Sequence, residues 1–87
     1  MPFFVIFENN VASMEEVQKH RSSHLDYIGT LQKKGKIFAA GRFLDSTGGM
    51  IITVVESMEE ADEIARTDPY IVKKIRNYTI KPWDKVF

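Results

Sequence analysis

The sequence predicts an α+β fold: a ferredoxin-like βαββαβ sandwich, with a four-stranded antiparallel sheet and two helices on one face. Three observations lead there. The chain has 87 residues, enough for one small domain over residues 1–87 and not for two. Its short aromatic and β-branched runs alternate with helical segments in the order βαβ, then βαβ. The tetrapeptide Ser13-Met14-Glu15-Glu16 recurs as Ser57-Met58-Glu59-Glu60, each time directly after a strand-like run, so the two halves share a plan.

The elements follow in order. Phe3 to Glu8 is aromatic and β-branched and reads as a strand, broken by Asn9 and Asn10. Ser13 and Glu16 form a capping box that opens a helix running to about Lys34, where Gly35 supplies a left-handed stop. Lys36 to Leu44 reads as the second strand, and Asp45 to Gly49 as turn chemistry. Met50 to Glu56 is the third strand. Ser57 then caps a second helix that ends near Thr67, because Pro69 pushes Asp68 out of helical geometry. Ile75 to Lys81 forms the fourth strand.

The strands are apolar on both sides. Phe3, Val5 and Phe7 alternate with Phe4 and Ile6, and Ile51 and Val55 alternate with Ile52 and Val54. A sheet with helices on one face only is normally polar on the other. No residues remain for another layer, so the sequence predicts a homodimer that buries the helix-free face.

Composition narrows the function classes. Lys plus Arg and Asp plus Glu both number 12, a net charge of zero, which removes the electrostatic drive behind nucleic-acid binding. The segment KGKIFAAGRF is also a poor match to an RNA-binding aromatic strand. No run is long enough for a membrane span, and no signal peptide is visible. The absence of cysteine excludes a thiolate zinc site and a cysteine nucleophile and fits a cytoplasmic location. Ser22, Ser23 and Ser46 lie outside any nucleophile-elbow pattern, and Gly48-Gly49 reads as a hairpin turn, not a phosphate loop.

Both histidines sit in HRSSHLDY, His20 to Tyr27. At about 100° per residue, His24 falls in the middle of the apolar stripe of Val17, Ile28 and Leu31. His20 falls at its edge, and Arg21 also turns inward. A polar ring on a buried stripe needs a partner. It is either a satisfied core histidine or a proton-transfer group facing a ligand. His20, His24 and Glu16 have spacing compatible with a metal, but HExxH and a further histidine are absent, so no dedicated metal site is expected. Asp68 reads as a turn or capping carboxylate, or as a carboxylate that fixes the tautomer of a histidine.

Arg21-x-x-His24-Leu25, Gly35, Ala40-Gly41, Asp45, Gly48-Gly49, Ala61, Asp68-Pro69-Tyr70 and Pro82-Trp83 together resemble the YciI-like family, over nearly the whole chain. The resemblance implies a dimeric α+β barrel that pairs through its sheets. It also implies an active-site pair, here His24 and Asp68. One branch of that family removes chloride from a chlorinated hydroxyquinol, and muconolactone isomerases share the superfamily fold. The usual proline after Ala-Gly is replaced by Arg42, which either adds charge near the cleft or faces solvent.

The resulting expectation is a small cofactor-independent enzyme of lyase or isomerase type, acting on a small polar or aromatic compound. His24 would be general base or acid, oriented by Asp68. Arg21 would hold an anionic group or position Asp68, Arg42 would add to substrate binding, and Tyr70 would line the pocket. The alternative is a non-catalytic ligand-binding or interaction domain in which His24 and Asp68 are structural.

Overall fold

A computed structural model describes residues 2–87. The elements are β1 (Phe3–Asn10), α1 (Met14–Lys19), α2 (Arg21–Lys33), β2 (Ile37–Arg42), β3 (Gly48–Val54), α3 (Met58–Thr67), α4 (Pro69–Val72) and β4 (Arg76–Trp83). The sheet order is β2-β3-β1-β4, with every neighbouring pair antiparallel. This is the ferredoxin-like α+β arrangement the sequence predicts.

Register assigns the two faces. Phe4 pairs with Thr53, Ile6 with Ile51 and Glu8 with Gly49, and these positions look toward the helices. There Ile6, Ile51 and Val55 pack with Ile28, Ala61, Ile64 and Ala65 as the core. Phe3 pairs with Val54, Val5 with Ile52 and Phe7 with Met50 on the other face. The Phe3 ring meets the rings of Phe38 and Trp83 edge-on at 5.5 and 5.9 Å, and both partners are exposed. A register shift between Ile37 and Ala39 marks a bulge in β2 where Phe38 sits.

Four details depart from the sequence expectation. The first helix is two: at His20 the backbone leaves helical geometry (φ −106°, ψ 8°) and its N–H bonds back to Val17 O at 3.2 Å. No glycine or proline marks this break, and Arg21, although on the Ile28 side of α2, is exposed because it is the first residue of that helix and stands at the cleft. Second, Asn9 and Asn10 do not end β1; Asn10 continues it and pairs with Arg76. Third, Gly48 and Gly49 begin β3, while the turn lies before them. Fourth, one extra helical turn, α4, follows Pro69.

The caps explain where the helices start. Ser13 Oγ accepts the Glu16 N–H at 3.3 Å and Ser57 Oγ accepts the Glu60 N–H at 3.2 Å. The second arm of the capping box is shifted: Glu60 Oε1 accepts the N–H of Glu56. Gly35 takes the predicted left-handed conformation, at φ 76°.

Candidate active site

Asp68 ends α3 and starts α4. Pro69 at the first helical position holds it extended, and its Oδ1 accepts the Tyr70 N–H at 3.0 Å. The same oxygen accepts from His24 Nδ1 at 2.8 Å. Asp68 is fully buried, and the His24 side chain is 13% exposed. An imidazole that gives its Nδ1–H to a carboxylate keeps its Nε2 lone pair free, on the opposite side of the ring.

Tyr70 is buried and stacks on His24, with ring centroids 4.4 Å apart and planes 24° apart. The Arg76 guanidinium covers Tyr70 at 4.2 Å from its centroid. Arg76 is itself pinned: Nε donates to Asn10 Oδ1 at 2.7 Å and Nη1 donates to Glu8 Oε1 at 3.0 Å. Gly49 leaves room for this crossing, since a Cβ there would lie 3.2 Å from Arg76 Nη1 and 2.7 Å from Gly41 O.

These groups close one side of a cleft of about 500 Å³ between α1, α2 and the β2–β3 end of the sheet. His24, Arg21, Arg42, Tyr70 and Arg76 all line it, and among the described residues lining it none is acidic. Of the residues singled out from the sequence, His24, Tyr70, Arg21 and Arg42 therefore meet in one cleft, with Asp68 behind His24. Arg21 and Arg42 are exposed residues at this cleft, not inward-packed ones.

His20 lies apart, at the α1–α2 junction, with its side chain 22% exposed and its Nε2 3.9 Å from Glu16 Oε2. The histidines do not share a site. Among the described residues, the one group of ligand-type side chains is instead Glu8, His24 and Asp68, each offering an atom within 4.8 Å of the others. Arg76 already sets a cation against Glu8 there, so the set is poorly matched to a second one.

Glu8 and Arg76 were missed from the sequence. One signal was present: counting by twos from Phe4 and Ile6 puts Glu8 on the core face. Burial, reinforced by the neighbouring Asp68, pushes the Glu8 carboxyl up to about 9, and Arg76 only partly offsets this. Burial also acts to raise Asp68. The hydrogen bonds from His24 and the Tyr70 N–H work against it, and Asp68 is held below the usual carboxylate value.

The chain belongs to the YCII-related domain family, whose profile matches residues 1–84. It is 35% identical to the uncharacterized protein YjpA of Bacillus subtilis, over 76% of this chain and 78% of that one. It is 29% identical to the protein YciI of Escherichia coli O6:H1, with both chains fully covered. Among solved structures it resembles 5-chloro-2-hydroxyhydroquinone dehydrochlorinase (TftG) from Burkholderia phenoliruptrix AC1100, in complex with 2,5-dihydroxybenzoquinone. The TM-score is 0.80 and the identity 23%, over 97% of this chain and 94% of that one. This likeness confirms the fold.

Proposed function

We propose that this chain is a small cofactor-independent enzyme of lyase or isomerase type, in which His24 moves a proton on a small anionic polar or aromatic compound. The observation that carries the reading is His24 itself: Nδ1 is bonded to buried Asp68, and the ring lines a cleft with three arginines. Asp68 holds the tautomer and stabilises the imidazolium that forms when Nε2 takes the proton. Arg21 and Arg42 bind the anionic end of the compound, and Arg76 adds positive potential at the cleft wall. Tyr70 backs the imidazole, and burial raises its phenol above the ordinary value, so it stays a neutral wall.

The cleft volume suits a single small ring. The structural relative named a dehydrochlorinase, held with a dihydroxybenzoquinone, supports a compound of that size and oxygenation. Two copies pair through the Phe3, Val5, Ile52 and Val54 face, leaving each cleft on the far side of its sheet. We place the enzyme in the cytoplasm, in keeping with the absence of cysteine.

One observation favours a purely structural pair: Asp68 also caps α4 through the Tyr70 N–H. A panel of small carboxylates, phenolates and hydroxyquinones, incubated with wild type and His24→Ala, separates the two. Turnover or solvent-deuterium incorporation that falls about 10²–10⁴-fold in the variant supports the enzyme. Saturable binding without turnover in either supports the structural reading.

A further inference from the structure

Two buried carboxyl oxygens, Glu8 Oε2 and Asp68 Oδ2, have no hydrogen-bond partner. Glu8 is 1% exposed and Asp68 fully buried, so bulk water does not reach these oxygens. Their other oxygens are taken: Glu8 Oε1 by Arg76, and Asp68 Oδ1 by His24 and the Tyr70 N–H. Two ionised carboxylates are pure acceptors and cannot satisfy each other. Leaving both orphaned at full charge is costly, because each buried oxygen has given up its water without gaining a donor.

We propose that Glu8 is held as a neutral carboxylic acid that donates its proton to Asp68 Oδ2, making it the positioning residue for His24. One proton then satisfies both orphans at once. It also balances the buried charge. Arg76 contributes one positive charge and Asp68 one negative, so a neutral Glu8 spares Asp68 the repulsion of a second buried carboxylate, which Arg76 only partly offsets. The titratable and charged groups around Glu8 from the packed elements are Asp68, His24, Tyr70, Tyr27 and Arg76, and Arg76 is the one fixed cation among them.

The consequence is geometric. Asp68 is gripped on both oxygens, by Glu8 on one and by His24 and the Tyr70 N–H on the other. Its plane cannot swing, so the imidazole stays in the Nδ1–H tautomer with Nε2 toward the cleft. The chain is therefore Glu8, Asp68, His24, with β1, the α3–α4 corner and α2 each supplying one member. This deepens the reading of His24 as the proton carrier and rests on it for its catalytic meaning; the protonation of Glu8 does not depend on any substrate.

The test is carried out on the intact protein without ligand. Glutamate side chains are labelled at the carboxyl carbon and titrated by NMR, and the ring nitrogens of His24 are observed in parallel. The expected result is one glutamate that titrates near pH 9, far from the rest, and that signal is missing in Glu8→Gln. Glu8→Gln should keep the single Nδ1–H tautomer, because its amide N–H donates to Asp68 while its carbonyl accepts from Arg76. Glu8→Ala should give mixed tautomers. The wild-type titration needs no variant to fold. A Glu8 carboxyl that titrates with the other glutamates overturns the proposal. So does a Gln variant whose tautomer is scrambled as in Glu8→Ala, or an equivalent of divalent metal that requires Glu8, Asp68 and His24. A wild type that meets every expectation here yet turns over nothing in the compound panel would instead remove the enzymatic reading and leave the Glu8 proton in place.

Discussion

His24 Nδ1 and Asp68 Oδ1 lie 2.8 Å apart, although 44 residues separate them in the chain. Two local rules bring them together. The stripe of α2 turns His24 toward the sheet, and the Asp68-Pro69 corner stops α3 where its carboxylate points at that stripe. The pairing predicts that the two histidines respond differently to truncation. His24→Ala should abolish ligand turnover while the fold remains, and His20→Ala should change activity less than twofold, because its contact is a loose 3.9 Å approach to Glu16. Comparing turnover and circular dichroism of the two variants checks this.

Asp68 carries both a cap and the histidine contact, so its substitutions separate by chemistry. Asp68→Ala should destabilise by about 2–4 kcal/mol, through loss of the cap on Tyr70 and the stranding of Glu8 and His24. Asp68→Asn retains an acceptor and should cost roughly half as much, while still lowering activity because the imidazolium loses its counter-charge. Urea denaturation of both variants beside wild type measures the difference.

Glu8 predicts an unusual pH dependence. Its folded value of about 9 lies above the ordinary 4.5, so between these limits the folded state holds a proton the unfolded state lacks. That contribution is complete below about pH 4.5 and is lost as pH rises through 9. Stability should therefore fall across this window, by at most about 1.4 kcal/mol per pH unit. Asp68, held below its usual value, acts oppositely: its contribution is present above the ordinary range and lost as pH falls through the folded value. From these two groups, stability peaks at mildly acidic pH. Thermal melts from pH 5 to 9 should show the decline in wild type and a smaller one in Glu8→Gln.

Much of this site was legible because it rests on local signals. The apolar runs Phe3 to Phe7 and Ile51 to Val55 mark strands, though with both sides apolar they do not tell which face meets the helices, and Ser13, Ser57 and Pro69 fix helix ends through their own backbone chemistry. What stayed hidden is non-local. The break at His20 has no composition marker, since a bond from its N–H to Val17 O replaces the helical one. Arg76 became a site residue only through pairing with β1, which sets it beside Asn10 and within reach of Glu8. Asn10, a strand breaker by propensity, is retained in β1 because it fastens Arg76 and the Ser46 carbonyl.

The open sheet face predicts self-association. Ile52 lies at its centre, opposite Val5, and Phe38 and Trp83 leave large apolar surfaces at its edges. Sedimentation at low micromolar concentration should report a dimer that raised salt does not dissociate. Ile52→Lys should shift it to monomer while the helix-side core stays intact. A wild-type monomer with a folded spectrum would contradict the pairing.

Anion binding should depend on the arginines at the cleft. Arg21→Gln and Arg42→Gln should each weaken a small carboxylate by about fivefold, on the order of 1 kcal/mol, since both side chains are exposed and screened. Added salt should weaken wild type further. Calorimetric titration at two ionic strengths measures both effects.

The central claim is that His24 presents an open Nε2 to an anion-binding cleft while Asp68 holds its other nitrogen. Ring-nitrogen NMR of the two histidines, recorded under alkaline conditions where imidazole is neutral, tests it most directly. The account predicts that His24 is in the Nδ1–H tautomer, and that its Nε2 signal shifts on addition of a small carboxylate while His20 stays unmoved. A protonated Nε2 in the neutral His24 ring, or a carboxylate response confined to His20, would contradict it.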